Sequence, residues 1–128
     1  MANEYQSSLD EVIGFLRFLT QLINSKNFNI KTDFDYFDNT ENDLTLMYLG
    51  YDAEDVCYEL STLTPSNYYH TLTDDRYKNS SPLYVFCKQI QNRDVYIKIK
   101  IREWKNNQIF CLSFHFAKYP FSNFPFAP

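Results

Sequence analysis

The segment DVYIKIKIREW, Asp94 to Trp104, alternates strictly: Val95, Ile97, Ile99 and Ile101 stand at every second position, with Tyr96, Lys98, Lys100 and Arg102 between them. A period of two marks an extended strand with one dry face and one charged face, because successive side chains point to opposite sides of the pleat. Such a strand has to lay its isoleucines on a core, and this constrains whatever surrounds it. The strand period begins at Leu83. LYVFCKQI precedes the central segment across Gln91-Asn92-Arg93, and IFCLSFHFA follows it across Lys105-Asn106-Asn107-Gln108. Asparagine tolerates the positive φ that tight hairpin turns need. The spacing predicts three consecutive antiparallel strands, a meander over residues 83–117.

Upstream, the period is helical. Ser8 with Glu11 forms a capping-box pattern, and Leu9, Val12, Ile13, Leu16, Leu19, Leu22 and Ile23 recur at three- and four-residue steps, so residues 9–24 read as an amphipathic helix. Thr40 with Asp43 offers an N-cap and Gly50 a stop for a short helix over 41–49. Asp52 with Asp55 opens another helix ahead of Val56, Cys57, Leu60 and Leu63, and Thr64-Pro65 starts a single turn running through Tyr68 and Tyr69. Residues 25–39 have no clear period and read as irregular structure or a short strand. The polar stretch 71–82 reads as a loop. The tail KYPFSNFPFAP is extended by its prolines, with its phenylalanines packed back on the body. The expected architecture is a single α+β domain, residues 1–128, with N-terminal helices packed on a small antiparallel sheet.

A chain of 128 residues with 11 Tyr and 12 Phe has ample material for one core. Its three cysteines, Cys57, Cys87 and Cys111, stand at wide spacings without a CxxC, which points to a reduced, cytoplasmic protein lacking structural zinc. Glu4, Asp10, Glu11 and Arg17 break up the first 25 residues, which suits neither a signal peptide nor a membrane span. Two glycines leave no phosphate-binding loop, and no HExxH or dinucleotide fingerprint occurs. No metal site and no cofactor is expected. Charge is unevenly divided. Residues 1–64 hold 12 Asp/Glu and three Lys/Arg, residues 65–128 four Asp/Glu and nine Lys/Arg, a swing from −9 to +5 in a chain of net charge −4. Such asymmetry suits a polyanion surface on the basic half; ordinary solvated strand faces account for it equally.

Parity gives the charged face more content. For Phe110, Leu112, Phe114 and Phe116 to join the isoleucine face, cross-strand partners must have numbers of opposite parity, and a tight turn at Lys105-Asn106 makes each pair total 211. Tyr96 then lies across from His115, and Lys98 across from Ser113. A two-residue slip places Lys98 across from His115 instead, so Tyr96, Lys98 and His115 gather in either register. On the first strand, either Lys88 with Tyr84 or Gln89 with Cys87 shares that face. His70, the other histidine, closes the turn TPSNYYH. A histidine, a phenol and fixed cations are what cleavage of RNA without a metal requires: a base for the ribose 2′-OH, an acid for the leaving oxygen, and positive charge for the phosphate.

Three segments extend this reading. LSTLTPSNYYH at 60–70, VYIKIKIRE at 95–103 and IFCLSFHFAKYP at 109–120 resemble, in order and spacing, the MqsR family of bacterial type II toxins. The resemblance covers Asp52 to Pro120; residues 1–45 form an N-terminal helical extension outside it. It implies a RelE-like fold, ribosome-independent mRNA cleavage and a cognate antitoxin. By the same resemblance, the family's catalytic tyrosine falls on Tyr96 and its following lysine on Lys98. Two family lysines fall on His70 and His115, each replaced by a group that titrates near neutral pH. The family's catalytic glutamine falls on Val85, which has no hydrogen-bonding group.

The leading expectation is a metal-independent endoribonuclease with Tyr96, Lys98, His115 and His70 as catalytic groups, and with Lys88, Lys100 and Arg102 attracting the RNA backbone. The alternative is a non-catalytic module, a degenerate toxin or phage-type inhibitor, that binds nucleic acid or protein through the same face. A third arrangement has the acidic N-terminal half covering that face in cis.

Overall fold

In the computed structural model, residues 3–74, 80–103 and 106–127 are described. The chain runs β1 (Glu4–Tyr5), α1 (Leu9–Ile23), α2 (Ile30–Asp33), β2 (Phe34–Tyr36), α3 (Thr40–Leu49) and α4 (Ala53–Ser61). A 3₁₀ turn (Pro65–Asn67) leads into β3 (Tyr68–Leu72), β4 (Leu83–Ile90), β5 (Arg93–Arg102) and β6 (Gln108–Phe116). The domain is α+β, with four helices among the described residues and one mixed sheet of six strands ordered β1-β3-β4-β5-β6-β2. The expected meander forms the middle of the sheet. It is flanked by the antiparallel β3 and β1 on one side and by β2, parallel to β6, on the other. The sheet therefore has six strands rather than three. β1 and β2, at two and three residues, are too short to show a period.

Local signals place the helices. Ser8 and Glu11 form the capping box of α1, Asp52 and Asp55 that of α4, and Gly50 ends α3 in the left-handed conformation at φ 73°. The N-cap of α3 is Asn39 rather than Thr40: its Oδ1 accepts the Asn42 N–H at 2.8 Å. The β4–β5 hairpin turns at Gln91 and Asn92, both at positive φ, as do Asn106 and Asn107 before β6. The run 71–82 is not wholly loop, since β3 extends to Leu72; Asp75 to Asn79 lie outside the described residues, as does the Lys105 half of the expected turn.

The isoleucine face of β5 carries the core. Val95, Ile97 and Ile99 are fully buried, together with Phe86, Val12 and Leu19, and Leu60 of α4 joins the same cluster. Phe15 of α1 stacks on Tyr84 with ring centroids 4.0 Å apart. Helices α1 and α4 of the acidic N-terminal half thus pack on the isoleucine face, which corrects the third arrangement above; of that half, Glu4, Asp35 and Glu41 reach residues of the charged face.

Register holds as expected over half the β5–β6 ladder. Val95 pairs with Phe116, Tyr96 with His115, Ile97 with Phe114 and Lys98 with Ser113. Then Leu112 is inserted as a bulge, and Ile99 pairs with Cys111, Lys100 with Phe110, Ile101 with Ile109. The extra residue reverses the faces of what precedes it. Ile109 and Cys111, not Phe110 and Leu112, enter the core, and Phe110 joins the charged side. Next to the bulge the outer edge of β6 changes neighbours. β2 covers only Ile109 to Cys111. Beyond it, buried Asn42 of α3 accepts the Phe114 N–H at 3.0 Å and donates to the Leu112 carbonyl at 3.2 Å, while Thr45 accepts the Phe116 N–H at 3.1 Å. Side chains of a helix stand in for a neighbouring strand.

Candidate functional site

Cross-strand pairing sets Tyr96 and His115 side by side, their rings stacked with centroids 5.3 Å apart at 15°. The Lys98 Nζ lies 5.8 Å from the Tyr96 ring centre. These three residues, joined from sequence by parity alone, are brought together. His115 is oriented from both ends. Its Nδ1 lies 3.0 Å from the Phe116 carbonyl, which accepts but does not donate, so Nδ1 carries the proton. Nε2 then faces outward as a lone pair in the neutral ring, 3.5 Å from Glu41 Oε2. Glu41 also accepts from Lys118 at 2.8 Å, a hydrogen bond that holds its carboxyl below the usual range. Burial raises the Tyr96 phenol above its ordinary value, with Glu4 and Tyr69 adding to the effect; Tyr96 is therefore a hydrogen-bond donor at neutral pH.

His70 occupies a separate place. It pairs with Val85 on β3, and three strand spacings separate β3 from β6, about 14 Å in all. Its Nδ1 is 3.0 Å from Glu4 Oε2. Burial lowers its pKa below the usual imidazole value, Glu4 opposes that, and Lys98 reinforces it. His70 thus feels Lys98 while standing on a different strand from Tyr96 and His115.

The expected backbone-binding cations divide three ways. Lys88 pairs with Val95, which resolves the ambiguity of the first strand: Lys88 and Tyr84 lie on the helix side, Cys87 and Gln89 on the charged side. Lys88 does not join the cluster; it bonds Glu59 at 2.7 Å, under α4. Lys100 faces the right way but is 2 % exposed, its Nζ 2.7 Å from Asp74 Oδ2 and 2.7 Å from Ser80 Oγ. Arg102 lies 3.0 Å from Asp35 Oδ2 and over the Phe110 ring at 3.8 Å. The basic stripe of β5 is in large part neutralised within the fold.

The C-terminal tail crosses this face. Phe121 lies on Tyr96, with centroids 5.9 Å apart, and meets Tyr69 edge-on at 4.6 Å; Phe124 contacts Tyr69, and Phe126 stacks on Tyr68 at 5.6 Å. Packing of the tail phenylalanines was expected; their seat on the charged face was not. Between tail and sheet lies a cleft of about 280 Å³ lined by Tyr69, Tyr96, His115, Lys118, Tyr119 and Phe121. A second hollow of about 280 Å³ on the far side of the tail holds Glu4, His70 and Asn123. Glu41, Glu4 and the tail aromatics are the functional neighbours that sequence reasoning missed. Glu41 merely opens the helix expected over 41–49, and no spacing ties it to a strand some seventy residues on.

Among the described residues no group of three or more His, Cys, Asp or Glu side chains is arranged to hold a metal ion, and no helix is long and apolar enough to cross a membrane. All three cysteines are buried and unbridged; burial pushes the Cys57 and Cys87 thiols up to about 12, far from a reactive thiolate. No protein-family model matches the chain, and no curated protein and no solved structure is significantly similar to it.

Proposed function

We propose that the protein is a metal-independent endoribonuclease of the toxin type, acting on mRNA through Tyr96, His115 and Lys98. The observation that carries the proposal is the Tyr96–His115 stack, with Nδ1 of His115 committed to the Phe116 carbonyl and Nε2 left to take a proton. His115 Nε2 removes the 2′-OH proton, and the 2′-oxygen attacks phosphorus. The bond from phosphorus to the 5′-oxygen breaks as Tyr96 protonates that oxygen, leaving a 2′,3′-cyclic phosphate and a 5′-hydroxyl. Lys98 offsets the charge that gathers on the phosphate. Glu41, beside Nε2, stabilises the imidazolium once the proton has arrived. The segments resembling MqsR toxins support the same reading, with a RelE-like fold for residues 52–120, a cytoplasmic site of action and a small antitoxin partner. Incubating pure protein with mixed RNA in EDTA tests it. Cleavage that disappears in His115→Ala and falls in Tyr96→Phe supports the assignment; intact RNA, or equal cleavage by all three proteins, removes it.

A second reading is favoured by one specific observation: the tail lies on Tyr96 and Tyr69, and Lys100 and Arg102 are already paired within the fold. In that reading the face binds RNA or an acidic protein segment without cutting it. Binding is then salt-sensitive, the RNA stays whole, and Lys98→Ala weakens it more than His115→Ala.

A further inference from the structure

Helix α3 carries apolar side chains on the face that meets water as well as on the face that meets the core. Its inward side presents core-packed Leu49 together with Asn42, fully buried, and Thr45, 3 % exposed, the two polar residues both bonded to the β6 edge. Its outward side presents Leu44 at 58 %, Tyr48 at 65 % and Met47 at 76 % exposure. Spacings of three and four residues put these apolar side chains on one ridge. Solvent-facing helix surfaces are ordinarily polar, and contiguous exposed apolar ridges mark association sites.

Charge around the ridge identifies what covers it. Acidic groups lie at its N-terminal end, where Asp43 shares a hydrogen bond with Asp38, a like-charge contact that raises the Asp43 pKa. A cation lies at the opposite end: the Arg93 guanidinium sits 5.2 Å from the Tyr48 ring centre and 3.5 Å from that of Phe116. A surface with an apolar middle, carboxylates at one end and a guanidinium at the other is complementary to itself when turned through a two-fold rotation. We infer that α3 is the self-association surface of this protein, two copies packing α3 against α3 in antiparallel fashion.

In that arrangement Leu44 of one copy meets Met47 of the other, and Asp43 of each copy approaches Arg93 of its mate. Both contacts occur twice. The carboxylate pair Asp38–Asp43 gains a cation, and three large apolar side chains per copy leave water. Glu41, on the same helix, also holds His115, so the interface adjoins the cleft without covering its Tyr69 side.

Sedimentation velocity of the intact chain from about 1 to 200 µM tests the inference. Mass should rise from 15.3 kDa toward that of two chains as concentration increases. Met47→Glu and Arg93→Glu should each raise the dissociation constant about tenfold or more, with unchanged circular dichroism because both side chains are exposed. Combining Arg93→Glu with Asp43→Arg should restore much of the association, since the exchanged charges face one another again. A monomer at every concentration overturns the inference, as does a dimer indifferent to Met47→Glu. A monomer that pairs only with a different small protein overturns it too, and gives the ridge to that protein. None of these readouts involves RNA, so the result stands apart from whether the protein cleaves it.

Discussion

Lys98 and Lys100 are two residues apart on β5, point to the same side of the sheet, and belong to the same alternating run. Lys98 stays half-exposed beside Tyr96 and His115, whereas Lys100 is buried against Asp74 at 2.7 Å. The bulge at Leu112 lies between their partners, separating a half-ladder that pairs Tyr96 with His115 from one that pairs Lys100 with Phe110. The contrast teaches that alternation reports which face a side chain occupies, while the solvent at that face is decided by distant chain: the tail at one end, Asp74 and Ser80 at the other.

The largest way to break the comparison is to remove one partner of the buried pair. Lys100→Ala should destabilise the fold by about 3–5 kcal/mol, because Asp74 keeps a charge away from water; Lys98→Ala, at a less buried side chain, should cost less. Urea unfolding of both variants checks this, and similar midpoints would show that Lys100 is better solvated than its burial indicates. Catalysis should reverse the ranking. His115→Ala should reduce RNA cleavage by about 10²-fold or more and Lys98→Ala measurably, both read at a temperature where circular dichroism shows the variants folded. A cleavage time course in EDTA reads both. Next in size, Asn42→Ala should destabilise by about 2 kcal/mol, since the buried Phe114 N–H and Leu112 carbonyl lose their partner together. Phe121→Ala should loosen the tail and change RNA affinity a few-fold: upward if the tail obstructs the Tyr96 end, downward if its ring helps to stack a base. Fluorescence anisotropy with a short labelled RNA decides between the two.

The smallest expected effect is a pH dependence from His70. Its folded pKa lies below the usual 6.5, chiefly through burial, so the unfolded chain takes up a proton first as pH falls. Its contribution to stability is complete above about 6.5 and is lost as pH falls from there toward the folded value. The urea midpoint should drop on acidification from pH 7.5 to 5.5, and His70→Gln should flatten that drop; an identical slope in the variant would exclude His70 as its source.

How far the sequence reached can be judged from particular residues. Capping boxes at Ser8 and Asp52 are local hydrogen-bond chemistry and predict where α1 and α4 begin. Parity with a tight turn predicts the Tyr96–His115 pair, and parity alone already gathers Tyr96, Lys98 and His115, because Ile97 and Phe114 must share a core. The bulge has no such signal: IFCLSF is apolar on both faces, so it shows no change of phase at Leu112. β4 was ambiguous for a related reason. Val85, Phe86 and Cys87 are buried in succession, and a strand covered on both sides loses its period of two. The cluster of Tyr96, Lys98 and His115 was legible since one hairpin makes it. Glu41, Glu4 and Phe121 were not, because each arrives from a remote segment.

The edge of β6 beyond β2 is closed to further strands. Asn42 and Thr45 occupy the hydrogen-bonding groups of β6 beyond β2, and at the other margin β1 offers only two residues while Phe126 stacks beside Tyr68. A closed margin resists runaway pairing with neighbouring chains, a hazard for a protein with four strands of five or more residues. Along that stretch of β6 another molecule approaches side chain to side chain, on the helix, and not by extending the ladder. The helix that gives Asn42 and Thr45 to the β6 edge turns Leu44, Met47 and Tyr48 to the opposite side, so the element that closes this stretch of ladder also carries the ridge.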